Sequence, residues 1–313
     1  MNLATRIEQT GQYLNRYLEA FIEEEQESDV CWIAENGTVA KNPFPPFRGE
    51  YRDFHTSWFK GIYDSLPSVT LPEFAKAVAE SMDSPLIIEV GGLYGSDFSL
   101  WAASQNPSAE VRIFNPVAPS TLMEYLFNDI RAEELFKLKN KTPFDPNQRE
   151  RSINRLFDAN GLSNVRFVHQ GIDYRKIQGL VEEAGNRQVL LYSRRPTRSP
   201  FNVIPIILDI AQKYDNVELL MTPFIDGPAV PKDSSDLVMQ KIAKHMGKFQ
   251  ELPRTAIHDP NESAVARIYL AMSQYVCLDF AQKVGAEVYR EDHFIRPGYP
   301  FYQPTHHVST VKP

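Results

Sequence analysis

The sequence predicts an α/β protein built on a doubly wound, mainly parallel seven-stranded sheet, with an antiparallel last strand and an N-terminal helical cap. Three observations predict it. From residue 85 onward, short continuous apolar runs alternate with amphipathic helical patterns, the mark of strands covered on both faces. The chain then closes on two strand-like segments, 287–293 and 306–311, with no helix between them, so one must run antiparallel to its neighbour. The first 80 residues or so carry helical spacing in place of strand alternation.

The elements follow in order. Residues 3–27 read as a helix with Leu14, Leu18, Phe21 and Ile22 on one face, ending in an acidic, solvated run. Residues 30–50 read as irregular and proline-rich. An aromatic-dense segment follows (Tyr51, Phe54, His55, Trp58, Phe59, Tyr63) at helical spacing, then a helix over 71–82. Strands are expected at 86–90, 110–114, 165–168, 188–192 and 217–221. The intervening helices are expected at 97–105, 118–139, 146–160, 174–184 and 201–213. Residues 223–260 read as an insertion with one helix at 234–248, and a long helix covers 262–283. The domain reading is a cap over 1–82 and a sheet domain over 83–313, with 223–260 as a substrate-side insertion.

Composition narrows the function. The 313 residues are 42% hydrophobic and 23% charged, enough for a large core. A net charge of −7 argues against a general grip on nucleic acid, which needs a basic balance. No stretch approaches the ~20 apolar residues of a membrane span, and no signal peptide is apparent, so a cytoplasmic protein without membrane or nucleic-acid partners is expected. A homodimer is compatible with the sequence. Two cysteines, Cys31 and Cys277, read as reduced packing residues. His306 and His307 are adjacent in a strand and point to opposite faces, so they are not expected to share a metal.

The chemistry concentrates at the first expected strand, whose sequence runs Pro85-Leu-Ile-Ile-Glu-Val-Gly-Gly-Leu-Tyr-Gly-Ser-Asp97. Glycines in a strand-to-helix turn let the backbone approach a ligand, and the helix N-terminus offers free N–H groups. A phosphate-binding lysine is absent from this turn, and the spacing is not that of the dinucleotide fingerprint. An acidic residue ending the strand and then Gly-x-x-x-Gly resembles motif I of the class I S-adenosylmethionine (SAM) dependent methyltransferases, a Rossmann-like superfamily. The segments SAEVRIFNP and LSNVRFVHQGID, together with the closing hairpin, extend the resemblance over roughly 85–313.

That resemblance implies a cofactor site. Glu89 would order the loop or reach the methionine amino group, and Gly91 and Gly95 would admit the methionine part. Asn115 would stand at the ribose, Ile172 and Asp173 would border the adenine, and Ser193 and Arg194 would lie where cofactor and substrate meet. Two positions depart from the pattern: Leu93 replaces a motif I glycine, and Asn115 replaces the ribose-binding acid, losing a bidentate, charge-assisted grip. A sulfonium has no N–H donors and is held by aromatic faces, which makes Tyr51, His55, Trp58 and Tyr63 candidate lid residues. His55, His169 and Tyr51 are the candidate catalytic groups, and Arg194, within Ser193-Arg-Arg-Pro-Thr-Arg198, is a candidate substrate anchor. The function expected is methyl transfer from SAM to a small-molecule acceptor in small-molecule biosynthesis. Two alternatives stand beside it. One is intramolecular cyclisation of SAM to a cyclic amino acid, as in azetidine-carboxylate-forming enzymes. The other is a non-catalytic protein on a decayed fold.

Overall fold

The computed structural model describes residues 1–23, 31–33, 39–41, 59–90, 97–114, 146–194, 203–222, 235–250, 264–291 and 305–313. They form helices α1 (Leu3–Glu23), α2 (Leu71–Ser81), α3 (Asp97–Gln105), α4 (Pro146–Ala159), α5 (Tyr174–Ala184), α6 (Val203–Lys213), α7 (Leu237–Gln250) and α8 (Ala264–Val284). The strands are β1 (Cys31–Ile33), β2 (Val39–Lys41), β3 (Leu86–Val90), β4 (Glu110–Phe114), β5 (Val165–Val168), β6 (Val189–Arg194), β7 (Val217–Thr222), β8 (Glu287–Glu291) and β9 (Thr305–Ser309). Seven strands make one sheet, ordered β5-β4-β3-β6-β7-β9-β8, with β3 to β7 parallel and the antiparallel departure confined to the last strands. The expected doubly wound sheet is therefore present.

Two compact units can be distinguished, Met1–Ser68 with Ile225–Val308, and Val69–Phe224 with Ser309–Pro313. In the second, the central strands are largely apolar because helices cover both faces. All five residues of β3 are buried, and Val189 to Tyr192 of β6 are fully so. Helix α2 opens on a capping box: Glu73 N–H donates to Thr70 Oγ1, and Thr70 N–H donates to the Glu73 carboxylate at 2.6 Å.

The entry edge of the sheet is clamped by Arg187. Its guanidinium donates to Ser84 O, to Pro85 O at 3.1 Å and to Glu110 Oε2 at 2.9 Å, tying the starts of β3 and β4 to the approach to β6. Burial alone would raise the Glu110 carboxyl, but hydrogen bonds and charges from Arg112 and Arg187 outweigh it and hold the group below its ordinary value. A carboxyl lowered on folding stabilises fully above its unfolded value of about 4.3, and that stabilisation disappears as pH falls through the folded value. Arg187→Met should therefore melt below wild type at pH 7, with the gap narrowing toward pH 3. Thermal midpoints across that range check it, and a constant gap would contradict it.

In the first unit, α8 is buried on every face from Leu270 to Leu278, as an internal helix is. Helix α1 packs on it with Tyr13, Leu14 and Leu18 inward. A Cβ at Gly11 would lie 3.2 Å from the Tyr275 ring, so glycine permits this close approach. The Tyr275 hydroxyl donates to Asp236 Oδ2 at 2.7 Å, while Asp236 Oδ1 accepts from Val238 N–H at the start of α7. Cys277 is free and buried, which pushes its thiol well above the usual value.

Several boundaries differ from expectation. Residues 30–50, expected to be irregular, contain β1 and β2, paired antiparallel with Trp32 opposite Ala40. The end of the aromatic segment, Phe59–Tyr63, is one π-helical turn. Strand β6 runs to Arg194, so Ser193 and Arg194 lie inside it and not just beyond it, paired with Met221 and Thr222. The expected helix 118–139 lies outside the described residues. Among those residues, no helix is long and apolar enough to cross a membrane.

Candidate active site

Two halves of the second unit's sheet grow in opposite directions from its centre. The chain moves outward from β3 through β4 to β5, then returns to the other side of β3 as β6 and continues to β7. Connections on either side of the β3/β6 boundary therefore depart oppositely beyond the C-terminal ends of the strands. Such a switch point, outside the carboxyl ends of the strands, is where doubly wound sheets bind ligands.

Glu89 sits at this boundary. It is the penultimate residue of β3, lies level with Ile113 on one side and Tyr192 on the other, and is 0% exposed. A carboxyl in a strand buried on both faces costs several kcal/mol unless it is answered by polar groups. The β3–β6 ladder ends with Glu89 and Tyr192. Beyond it, the buried Ser193 hydroxyl donates to Val90 O at 3.0 Å and holds the two strand ends together. Phe98, one residue into α3, packs on Tyr192 with ring centroids 4.6 Å apart, tying α3 to the same strand end.

The next strands supply the adjoining wall. Asp173 is the N-cap of α5, its Oδ1 accepting from Lys176 N–H at 2.9 Å. Ile172, just before it, is buried at 7% exposure. The capped turn carries Lys176 over the ring of Phe114, the last residue of β4, at 4.8 Å from its centroid, with Nζ 2.5 Å from Gln170 Oε1. His169 is half-buried after β5. Its backbone N–H donates to Glu150 Oε2 at 2.9 Å, and its ring stands edge-on to Phe167 at 6.0 Å.

The structure thus gathers five sequence-derived candidates, Glu89, Ser193, His169, Ile172 and Asp173, at the C-terminal edge of one sheet. Arg194 ends β6 at that edge. Tyr63 belongs to the first unit, where it is fully buried between His306 and Arg290. Tyr51, His55, Trp58, Gly91, Gly95 and Asn115 lie outside the described residues. Sequence reasoning did not single out Phe98, Phe114, Lys176 or Tyr192. Lys176 carried a usable signal, since the third residue after an Asp that caps a helix is held at the strand edge.

The chain matches no protein-family model and no curated protein. Among solved structures it is similar to precorrin-6y C5,15-methyltransferase from Geobacter metallireducens, at 9% identity, 79% of this chain, 93% of that one and a TM-score of 0.35. It is similar to an O-methyltransferase family protein from Burkholderia thailandensis, at 11% identity, 96% and 69% coverage and a TM-score of 0.33. An rRNA methylase from Streptococcus thermophilus gives 11% identity, 75% and 92% coverage and a TM-score of 0.32. Likenesses at such scores carry no weight for this chain's chemistry, so the site is read from its own geometry.

Proposed function

We propose that the chain is a SAM-dependent methyltransferase that acts on a small-molecule acceptor. The observation that carries this reading is Glu89, a fully buried carboxyl at the switch point of a doubly wound sheet, two residues before Gly91 in the sequence. A buried acid there suits the ammonium of an amino-acid cofactor. Toward the remainder of SAM, Ile172 beside the Asp173 cap is the apolar group for a base, and the Ser193 hydroxyl joins the ends of β3 and β6. When bound, SAM supplies an electrophilic methyl group. The protein's part is to hold the cofactor's amino end on Glu89, to bring the acceptor to the switch point and to take up its proton, for which His169 stands at the same sheet edge. The acidic balance of the whole chain, net −7, favours a small acceptor over a polyanion.

The test is an incubation of purified protein with SAM, alone and with a panel of hydroxyl- and amine-bearing small molecules, followed by mass spectrometry. S-adenosylhomocysteine formed only with an acceptor is the expected result. Methylthioadenosine from SAM alone would replace methyl transfer by intramolecular displacement. No calorimetric binding of SAM or S-adenosylhomocysteine would remove the reading.

A further inference from the structure

The first unit holds a second concentration of ionisable side chains. Glu291 closes β8, while His306 and His307 occupy consecutive positions in β9. Consecutive strand residues point to opposite faces, and the two imidazoles have different surroundings. His307 Nε2 lies 3.0 Å from Glu291 Oε2, both groups being buried. His306, 2% exposed, stands edge-on to Tyr63, with ring centroids 5.5 Å apart and planes at 87°. The Arg290 guanidinium lies over the same Tyr63 ring at 5.6 Å, donates to Asp64 Oδ1 at 2.8 Å and reaches Leu66 O at 3.0 Å.

Every charge in this cluster is answered within it, Arg290 by Asp64 and Glu291 by His307. His306 differs. Neither Nδ1 nor Nε2 has a partner among the described residues. A neutral imidazole has one donor and one acceptor, and burying either unanswered is costly. An apolar side chain of similar size would avoid that cost. Buried polar groups left unanswered in a folded protein call for a functional explanation.

We infer that His306 is the recognition group of a small-molecule site in the first unit, and that its ligand is neutral and carries a hydroxyl. Among the described residues of the cluster, a cation would find no uncommitted carboxylate and an anion no uncommitted guanidinium. Burial, reinforced by the neighbouring His307, lowers His306 to about 3, so the ring is neutral at physiological pH and offers both a donor and an acceptor. A hydroxyl is the smallest group that both gives and takes a hydrogen bond, and so serves either imidazole tautomer. The Tyr63 ring beside it favours an aromatic carrier, which makes phenol the appropriate probe. This inference does not depend on the methyl-transfer reading, because all its residues lie in the first unit.

The experiment is an NMR titration of the full chain, labelled with 15N-histidine, with phenol and with toluene as the hydroxyl-free isostere. Phenol should shift the His306 ring nitrogens and bind at least about tenfold tighter than toluene, roughly the worth of one answered buried polar group. His306→Leu should erase that preference and raise the thermal midpoint. His306→Gln, which keeps a donor and an acceptor, should retain part of it. Equal binding of phenol and toluene, no binding of either, or a preference that survives His306→Leu would each overturn the inference. So would a midpoint lowered in both variants with the phenol preference unchanged.

Discussion

Replacing Glu89 by glutamine should weaken SAM binding by about a hundredfold. The two side chains have nearly the same shape, so the fully buried position between Ile113 and Tyr192 stays filled. What changes is charge. A charge-assisted hydrogen bond in a site shielded from water is worth about 1.5–3 kcal/mol, and a hundredfold in affinity is about 2.7 kcal/mol. Calorimetry with SAM and with adenosine separates the two ends of the cofactor: SAM should lose affinity and adenosine should change little. A lower midpoint with unchanged SAM affinity would make Glu89 a structural acid and leave the proposed site without its central observation.

The parts of this fold that could be read from sequence carry a local pattern, an apolar run or an amphipathic period. Strands β3, β4 and β5 and helices α3 and α5 fall where the apolar runs and amphipathic patterns put them, because a strand under helices on both sides shows as a run such as Leu86, Ile87, Ile88. The end of β6 was less legible because Ser193 and Arg194 are polar, yet they continue the ladder beside Met221 and Thr222. Strands β1 and β2 are three residues each, too short for a period to register. Of the candidate site, the acid at the strand end and the cap at Asp173 were visible because each follows from a local rule. The stacking of Lys176 on Phe114 was not. Those residues are far apart in sequence and meet only because β4 lies beside β5 in the sheet. The His307–Glu291 pair is hidden in the same way, since its partners stand 16 residues apart on two strands.

A larger loss of stability is expected from Asn154→Leu. Strand β5 is one edge of the sheet, and an edge strand presents alternate backbone groups with no neighbouring strand to receive them. Here those groups are all answered from within the unit. Val165 N–H donates to Leu162 O at 3.0 Å. Phe167 N–H donates to Asn154 Oδ1 at 2.7 Å, and Asn154 Nδ2 donates back to Phe167 O at 3.0 Å. His169 N–H donates to Glu150 Oε2 at 2.9 Å. The arrangement works because two periods nearly coincide: four helical residues rise about 6 Å, and two strand residues about 6.6 Å. Glu150 and Asn154 on α4 thus stand at the pitch of His169 and Phe167 on β5, and the helix substitutes for a missing strand. Leucine at position 154 would fill the volume but leave the Phe167 N–H and C=O unanswered beside a fully buried ring, at about 1–3 kcal/mol each. A total of about 3 kcal/mol should appear as a lower urea midpoint with the slope unchanged. Asn154→Asp keeps the acceptor for Phe167 N–H and loses only the donor, so it should fall between wild type and leucine. The uncovered edge should also raise light scattering near the midpoint, as exposed strands pair between molecules. A leucine variant within about 0.5 kcal/mol of wild type, the usual range for surface changes, would show that α4 covers this edge by packing alone.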